Sequence, residues 1–168
     1  TVLYKHDRLF VTNAEYFAAS AHLVGFAPTH APDLCAVIAS EDPDKVLFMV
    51  EPEQTASVLT EITALVGARA TVVQSHAQFV EVNPLGADKG SGLAWLANHL
   101  GIAREHIMAI GDQHNDATML QWAGLSVAMG NASAELKSFA SWVAPTVEED
   151  GAVAAIELGL QKRLYIGN

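Results

Sequence analysis

The stretch Ile107-Met108-Ala109-Ile110-Gly111-Asp112 constrains this chain more than any other: an apolar run breaks off in Gly-Asp, and Asp116 follows four residues later. A run of that kind reads as a buried strand. A carboxylate directly after its end sits where open α/β sheets place their sites. The surrounding segments alternate. Leu93, Leu96, Ala97 and Leu100 fall on one helical face stopped by Gly101; a strand is expected over residues 106–110 and a helix through Met119 and Leu120. A strand over 125–129, a helix around Leu136 and Phe139, a strand over 141–144 and a last helix from about Glu149 follow. Alternation at this spacing predicts right-handed crossovers onto a parallel sheet. Three strands are few for a doubly wound sheet that stands alone.

Before Pro84 the pattern differs and predicts a small α+β unit. Val2–Lys5 and Leu9–Thr12 flank His6-Asp7-Arg8 as a hairpin. Asn13 can cap a helix through Tyr16, Phe17 and Leu23 to Gly25. Lys45–Val50 is an apolar, β-rich run. Pro52 opens a helix through Val58, Leu59, Ile62, Leu65 and Val66 that Gly67 stops. Two further strands, over 70–74 and 79–82, surround Ser75-His76-Ala77. The change of rhythm puts a boundary near Asn83–Gly86.

Composition narrows the function classes. The 168 residues carry 9 basic against 19 acidic side chains, a formal net charge of −10, which disfavours nucleic acid and anionic membranes as partners. Hydrophobic residues make up 51% and charged residues 17%, which excludes a disordered tail and points to a sizeable core. No apolar run approaches the roughly 20 residues of a membrane helix, and no signal peptide is visible. The single cysteine, Cys35, lies in the apolar run Cys35–Ala39 and is expected to be a buried small hydrophobe rather than a nucleophile. It cannot form an internal disulfide, which fits a cytoplasmic location.

Chemistry concentrates after the boundary. Asp112 and Asp116 can be brought to one point by the turn between them. Two carboxylates with further positions left to water and phosphate suit Mg²⁺. Gly86-Ala87-Asp88-Lys89-Gly90-Ser91-Gly92 opens the preceding helix and sets Lys89 against the helix macrodipole, which points to an anion beside it, a carboxylate or a phosphate. Each acid alone reads more readily as a turn or cap residue, and an isolated Asp-Lys-Gly as a solvated lysine; the conjunction carries the signal. His114 is expected to be an exposed loop residue, and Ser75, Phe79 and Glu81 to be structural. Trp95 lies opposite the leucine stripe and is expected to be exposed. Trp122, Trp142, Met108, Met119 and Met129 are expected in the core.

Phe79–Gly90, Gly111–Asp116, Val127-Ala128-Met129-Gly130-Asn131-Ala132, Lys137 and Glu149–Val153, in that order and spacing, resemble the haloacid dehalogenase-like superfamily of phosphohydrolases, in particular its Cof-type phosphatases. The resemblance covers most of residues 79–157. It implies an α/β fold: the C-terminal half of a Rossmann-like parallel-sheet core (85–168) behind an α+β cap domain of the C2 type (1–84). It also implies a Mg²⁺-dependent phosphomonoesterase acting on a small phosphorylated metabolite, such as a sugar phosphate, through an aspartyl phosphate. Lys89 would neutralise nucleophile and phosphate. Asp112 would ligate the Mg²⁺, with Asp116 doing so directly or through water. Asn115 would bind phosphate or place the lysine, and Asn131 would lie close to the phosphate.

The family's nucleophile belongs to a strand-Asp-x-Asp-Gly-Thr motif that precedes the cap, and no such motif occurs here. Asp42-Pro43-Asp44 is the nearest imitation, but it lacks Gly-Thr and its proline reads as a turn. The resemblance therefore implies an N-terminally truncated enzyme, inactive as it stands. Its exposed core face is expected to draw a second copy of the chain. One alternative stays open, a non-catalytic module that binds Mg²⁺ and phosphate or assembles with a partner; a fragment of a P-type cation pump shares a similar Gly-Asp-x-x-Asn-Asp string, but the Met-Gly-Asn-Ala and Glu-Asp-Gly stretches and the lack of a membrane helix argue against it.

Overall fold

In a computed structural model, residues 1–13, 28–39 and 42–164 are described. The chain is mixed α/β and forms two compact units, Thr1–Gly86 and Ala87–Asn168. The helix expected from Asn13 to Gly25 lies outside the described residues.

In the first unit, β1 (Val2–Lys5) and β2 (Arg8–Val11) form a hairpin in which Lys5 pairs with Arg8. Its two loop residues, His6 and Asp7, both take positive φ, 49° and 59°. That is the backbone a two-residue hairpin needs and one that L-residues resist. Asp44 offsets the strain by accepting the His6 amide on Oδ2 at 2.8 Å. The second acid of the Asp-Pro-Asp imitation is thus a turn anchor. With β3 (Thr29–His30), β4 (Lys45–Met49), β5 (Ala70–His76) and β6 (Phe79–Pro84), the sheet has the order β3-β2-β1-β4-β6-β5. All pairings are antiparallel except β2 with β3.

Cys35 is exposed, contrary to the expectation of burial. It lies in α1 (Leu34–Val37), a single turn capped by Asp33, in which no residue is buried; four residues are too few to present an apolar face. α2 (Thr55–Val66) leaves Val58, Leu59, Ile62 and Val66 half-buried and Leu65 exposed. Thr55 is buried at its start and donates to the Ala77 carbonyl at 2.6 Å. Gly67, at φ 55°, ends the helix.

The second unit holds a parallel sheet, β7 (Met108–Gly111), β8 (Leu125–Ala128) and β9 (Trp142–Val143), in the order β7-β8-β9. Strand alternation feeds two cores. Ala109 and Ala128 face Leu120, Ala123 and Leu136, with Leu93 packed against them; these belong to the side of α3 (Lys89–Leu100), α4 (Ala117–Trp122) and α5 (Ala134–Lys137). Met108, Ile110, Val127 and Met129 face Ala155 of α6 (Gly151–Leu164). The strand expected from His106 starts two residues later, because Arg104–His106 is a 3₁₀ turn.

The leucine stripe of α3 is only partly inward. Leu93 and Ala97 pack, but Leu96 and Leu100 are exposed together with Trp95, which is 67% exposed and stacked on His99 with ring centroids 5.2 Å apart. Val153, Ile156 and Leu160 of α6 are exposed as well. Met129 is buried, and Met108, Met119 and Trp142 are half-buried against the two cores, as expected; Trp122 is half-buried. Among the described residues no helix is long and apolar enough to cross a membrane.

Candidate active site

The carboxyl end of β7 gathers the charged residues. Gly111 ends the strand because nothing larger fits: a Cβ there would stand 2.5 Å from Cβ of Asp116. Asp112 follows, and the chain turns through a 3₁₀ segment, His114–Asp116, into α4. Asp116 is 3% exposed, and every part of its carboxylate is used. Oδ2 accepts the amides of Asp112 at 2.9 Å and Gln113 at 3.0 Å, and Oδ1 accepts the Lys89 ammonium. A buried carboxylate without such partners would be strongly disfavoured; here three donors fix it and shape the loop that carries Asp112.

Lys89 is the first residue of α3. Asp88 caps that helix by accepting the Ser91 amide at 2.9 Å, while Ser91 Oγ accepts the Asp88 amide at 3.0 Å. The Ser91 amide is the largest influence holding the Asp88 carboxyl below its ordinary value, with help from the Thr118 hydroxyl and the Gly90 amide. The Gly90 amide donates to Thr118 Oγ1 at 3.0 Å. The Lys89 side chain remains 48% exposed although its ammonium pairs with a buried anion.

Asp112 is half-buried and differs from Asp116 in its commitments. Its Oδ2 accepts only two long amide contacts, from Gln113 Nε2 at 3.3 Å and Asn131 Nδ2 at 3.4 Å, and among the described residues Oδ1 has no hydrogen-bond partner. Asn131 also accepts the Val147 amide on Oδ1 at 3.2 Å, so it links Asp112 to the loop before α6. Lys137 donates to the Gly130 carbonyl at 2.7 Å and holds the turn that carries Asn131. Asn115 Oδ1 is buried with no partner among the described residues; being an acceptor, it suits an ammonium or another donor rather than a phosphate oxygen.

Hard, partly free oxygen donors at Asp112 suit Mg²⁺, which takes one or two carboxylates and fills its remaining positions with water and phosphate. Among the described residues no group of three or more His, Cys, Asp or Glu could hold a metal ion, so an ion there would need such additional donors.

Of the residues singled out from the sequence, Lys89 and Asp116 meet directly, Asp112 joins them through its backbone amide, and Asn131 joins Asp112. Asn115 makes no side-chain hydrogen bond through Oδ1. His114 is exposed, as expected, 3.9 Å from Glu135. Gln113 and Thr118 carry parts of the geometry that sequence reasoning missed. Gln113 fills an open position between the two acids, and no sequence signal marked Thr118. Ser75, Phe79 and Glu81 have structural partners: Ser75 donates to Glu81 at 2.6 Å, Lys45 lies 3.3 Å from the same oxygen, and Phe79 packs in the core of the first unit.

At the carboxyl end of a parallel strand, a lysine from the preceding helix thus meets one buried aspartate beside a second, half-buried one. The chain belongs to the haloacid dehalogenase-like hydrolase family, whose sequence model matches residues 1–156. It is 40% identical over 121 residues to the chloroplastic endoribonuclease YBEY of Arabidopsis thaliana, an alignment covering 71% of this chain and 21% of that protein. It is 42% identical over 85 residues to the 5-amino-6-(5-phospho-D-ribitylamino)uracil phosphatase YcsE of Bacillus subtilis, covering 51% of this chain and 34% of that one. Among solved structures, a haloacid dehalogenase-like hydrolase from Bacteroides thetaiotaomicron matches 93% of this chain and 59% of its own, with 31% identity and a TM-score of 0.76. The chain thus spans less than half of these two curated relatives.

Proposed function

We propose that this chain supplies the metal- and phosphate-handling half of a Mg²⁺-dependent phosphomonoesterase acting on a small phosphorylated metabolite, with the attacking carboxylate contributed from outside the 168 residues. The observation that carries this reading is the Lys89 ammonium held on buried Asp116 beside the partly free carboxylate of Asp112. Family membership and the phosphatase among its relatives support the substrate class.

In this reading residues 1–84 are the cap and 85–168 the C-terminal part of the core, working in the cytoplasm. Asp112 would hold Mg²⁺ with Asp116 behind it, and the ion would screen phosphate charge. Lys89 presents its ammonium to the transferring phosphoryl group and to the attacking carboxylate, which would otherwise repel each other. Asp116 keeps the ammonium aimed and holds the loop amides in place. Asn115 would help place the lysine, since its buried Oδ1 suits a donor. Asn131 steadies Asp112 at the edge of the phosphate site. Without an Asp-x-Asp-Gly-Thr carboxylate, covalent transfer has no nucleophile. The apolar faces of α3 and α6 then invite a second copy of the chain.

The test is an assay of this chain with a generic phosphomonoester and Mg²⁺. Negligible turnover is expected. Substantial turnover abolished by Asp42→Asn would overturn the reading and make the Asp-Pro-Asp segment the nucleophile.

A further inference from the structure

We propose that Thr118 is a positioning residue for Lys89: its hydroxyl clamps the first turn of α3 onto α4 and thereby keeps the Lys89 ammonium on Asp116. The significance of the clamp rests on the functional reading above, while its existence rests on geometry alone. The first amides of a helix have no partners inside it. Asp88, the cap just before α3, satisfies the Ser91 amide, whereas the Gly90 amide donates to a side chain of another helix, Thr118 Oγ1 at 3.0 Å.

The two helices also meet backbone to backbone. A Cβ at Gly90 would lie 2.7 Å from both the carbonyl carbon and the carbonyl oxygen of Thr118, so the approach needs glycine at that position. Lys89 is the residue between this clamp and the Asp88 cap. Its target, Asp116, stands two residues before Thr118 on the same turn of chain. Clamp and target therefore lie at the start of α4, Asp116 as its cap and Thr118 in its first turn, and the lysine's register on the aspartate is set one residue from the lysine and two from the aspartate. Such a hold is needed because a cation at a helix N-terminus is opposed by the macrodipole. Thr118 is itself exposed, so its side chain contributes little by burial, and the hydrogen bonding of its hydroxyl at the start of α3, to the Gly90 amide and to Asp88, is its main structural use.

The experiment follows the ¹³Cγ resonance of Asp116 by NMR in the 168-residue chain, with Lys89→Met setting the displacement that marks loss of the ion pair. Thr118→Val is expected to move the resonance by at least half of that displacement, and Thr118→Ser to restore it. Gly90→Ala is expected to move it in the same direction with the hydroxyl still present. The proposal is overturned if Thr118→Val lowers stability yet leaves the resonance at its wild-type position while Lys89→Met displaces it. It also fails if Lys89→Met itself has no effect, an outcome that removes the ion pair but leaves Asp112 as a metal ligand to be judged by Mg²⁺ titration. Should Thr118→Val fail to fold, Thr118→Ala and Gly90→Ala carry the same comparison.

Discussion

Each unit contains a lysine paired with a carboxylate, and the two pairs are built for different ends. In the first unit Lys45 meets Glu81 across the sheet; Ser75 bonds the same Glu81 oxygen, and the ammonium also lies 4.4 Å above the Tyr4 ring centre. Burial, and then Glu81, push the Tyr4 hydroxyl above its ordinary pKa, so the cluster stays neutral around a single compensated pair. In the second unit Asp116 is sealed, Lys89 is half-exposed, and Asp112 stands next to them with a carboxylate oxygen free of partners among the described residues. A closed pair stabilises a sheet. An open pair beside a second acid leaves charge available to a ligand.

Substitutions can break that contrast. The largest effect is expected from Asp116→Ala, which leaves two loop amides without their acceptor, at about 1–3 kcal/mol each in denaturant unfolding, and frees the half-exposed lysine. Lys89→Met leaves Asp116 its two amide bonds and should cost about 1–3 kcal/mol. Glu81→Gln, which keeps the Ser75 bond, should cost about 1 kcal/mol and leave Mg²⁺ binding unchanged, whereas the two site variants should weaken it. Equal costs at Asp116 and Glu81 would erase the distinction between the pairs.

Replacing Trp95 and Leu160 together by Glu is expected to shift the chain to monomer in sedimentation, if a second copy covers the exposed faces of α3 and α6. A wild-type chain that is already monomeric with no dye-binding apolar surface would remove that expectation. The smallest effect concerns acid. Asp88 and Glu149 both lie below their ordinary values, chiefly through backbone amides of Ser91 and Thr146. Their contribution is therefore present above the unfolded-state carboxyl values and is lost as pH falls through the lower folded-state ones. Asp88→Asn keeps a capping oxygen but cannot titrate, so it should flatten the acid limb of a stability–pH profile with little change at neutral pH.

The alternation of the second unit was legible because β7 and β8 are apolar runs bounded by glycine, and Asp112 and Asp116 are marked by position alone. Lys89 was legible as a cation in an unfavourable place on a helix. What escaped was set by tertiary approach. The partner of the Gly90 amide is a threonine 28 residues away on a helix face with no distinctive pattern. Leu96 and Leu100 share the periodicity of a buried stripe, but periodicity does not say what covers a face. Cys35 lies in an apolar run, yet its one-turn helix buries nothing.

The central claim is that Lys89, Asp112 and Asp116 form one Mg²⁺- and phosphate-handling site, and an NMR titration of the chain with Mg²⁺ and then inorganic phosphate tests it most directly. Saturable shifts confined to residues 112–116, Lys89 and the Gly130-Asn131 turn are predicted, with the Mg²⁺ response abolished by Asp112→Asn. Shifts scattered over the acidic surface, or a response that survives Asp112→Asn unchanged, would contradict it.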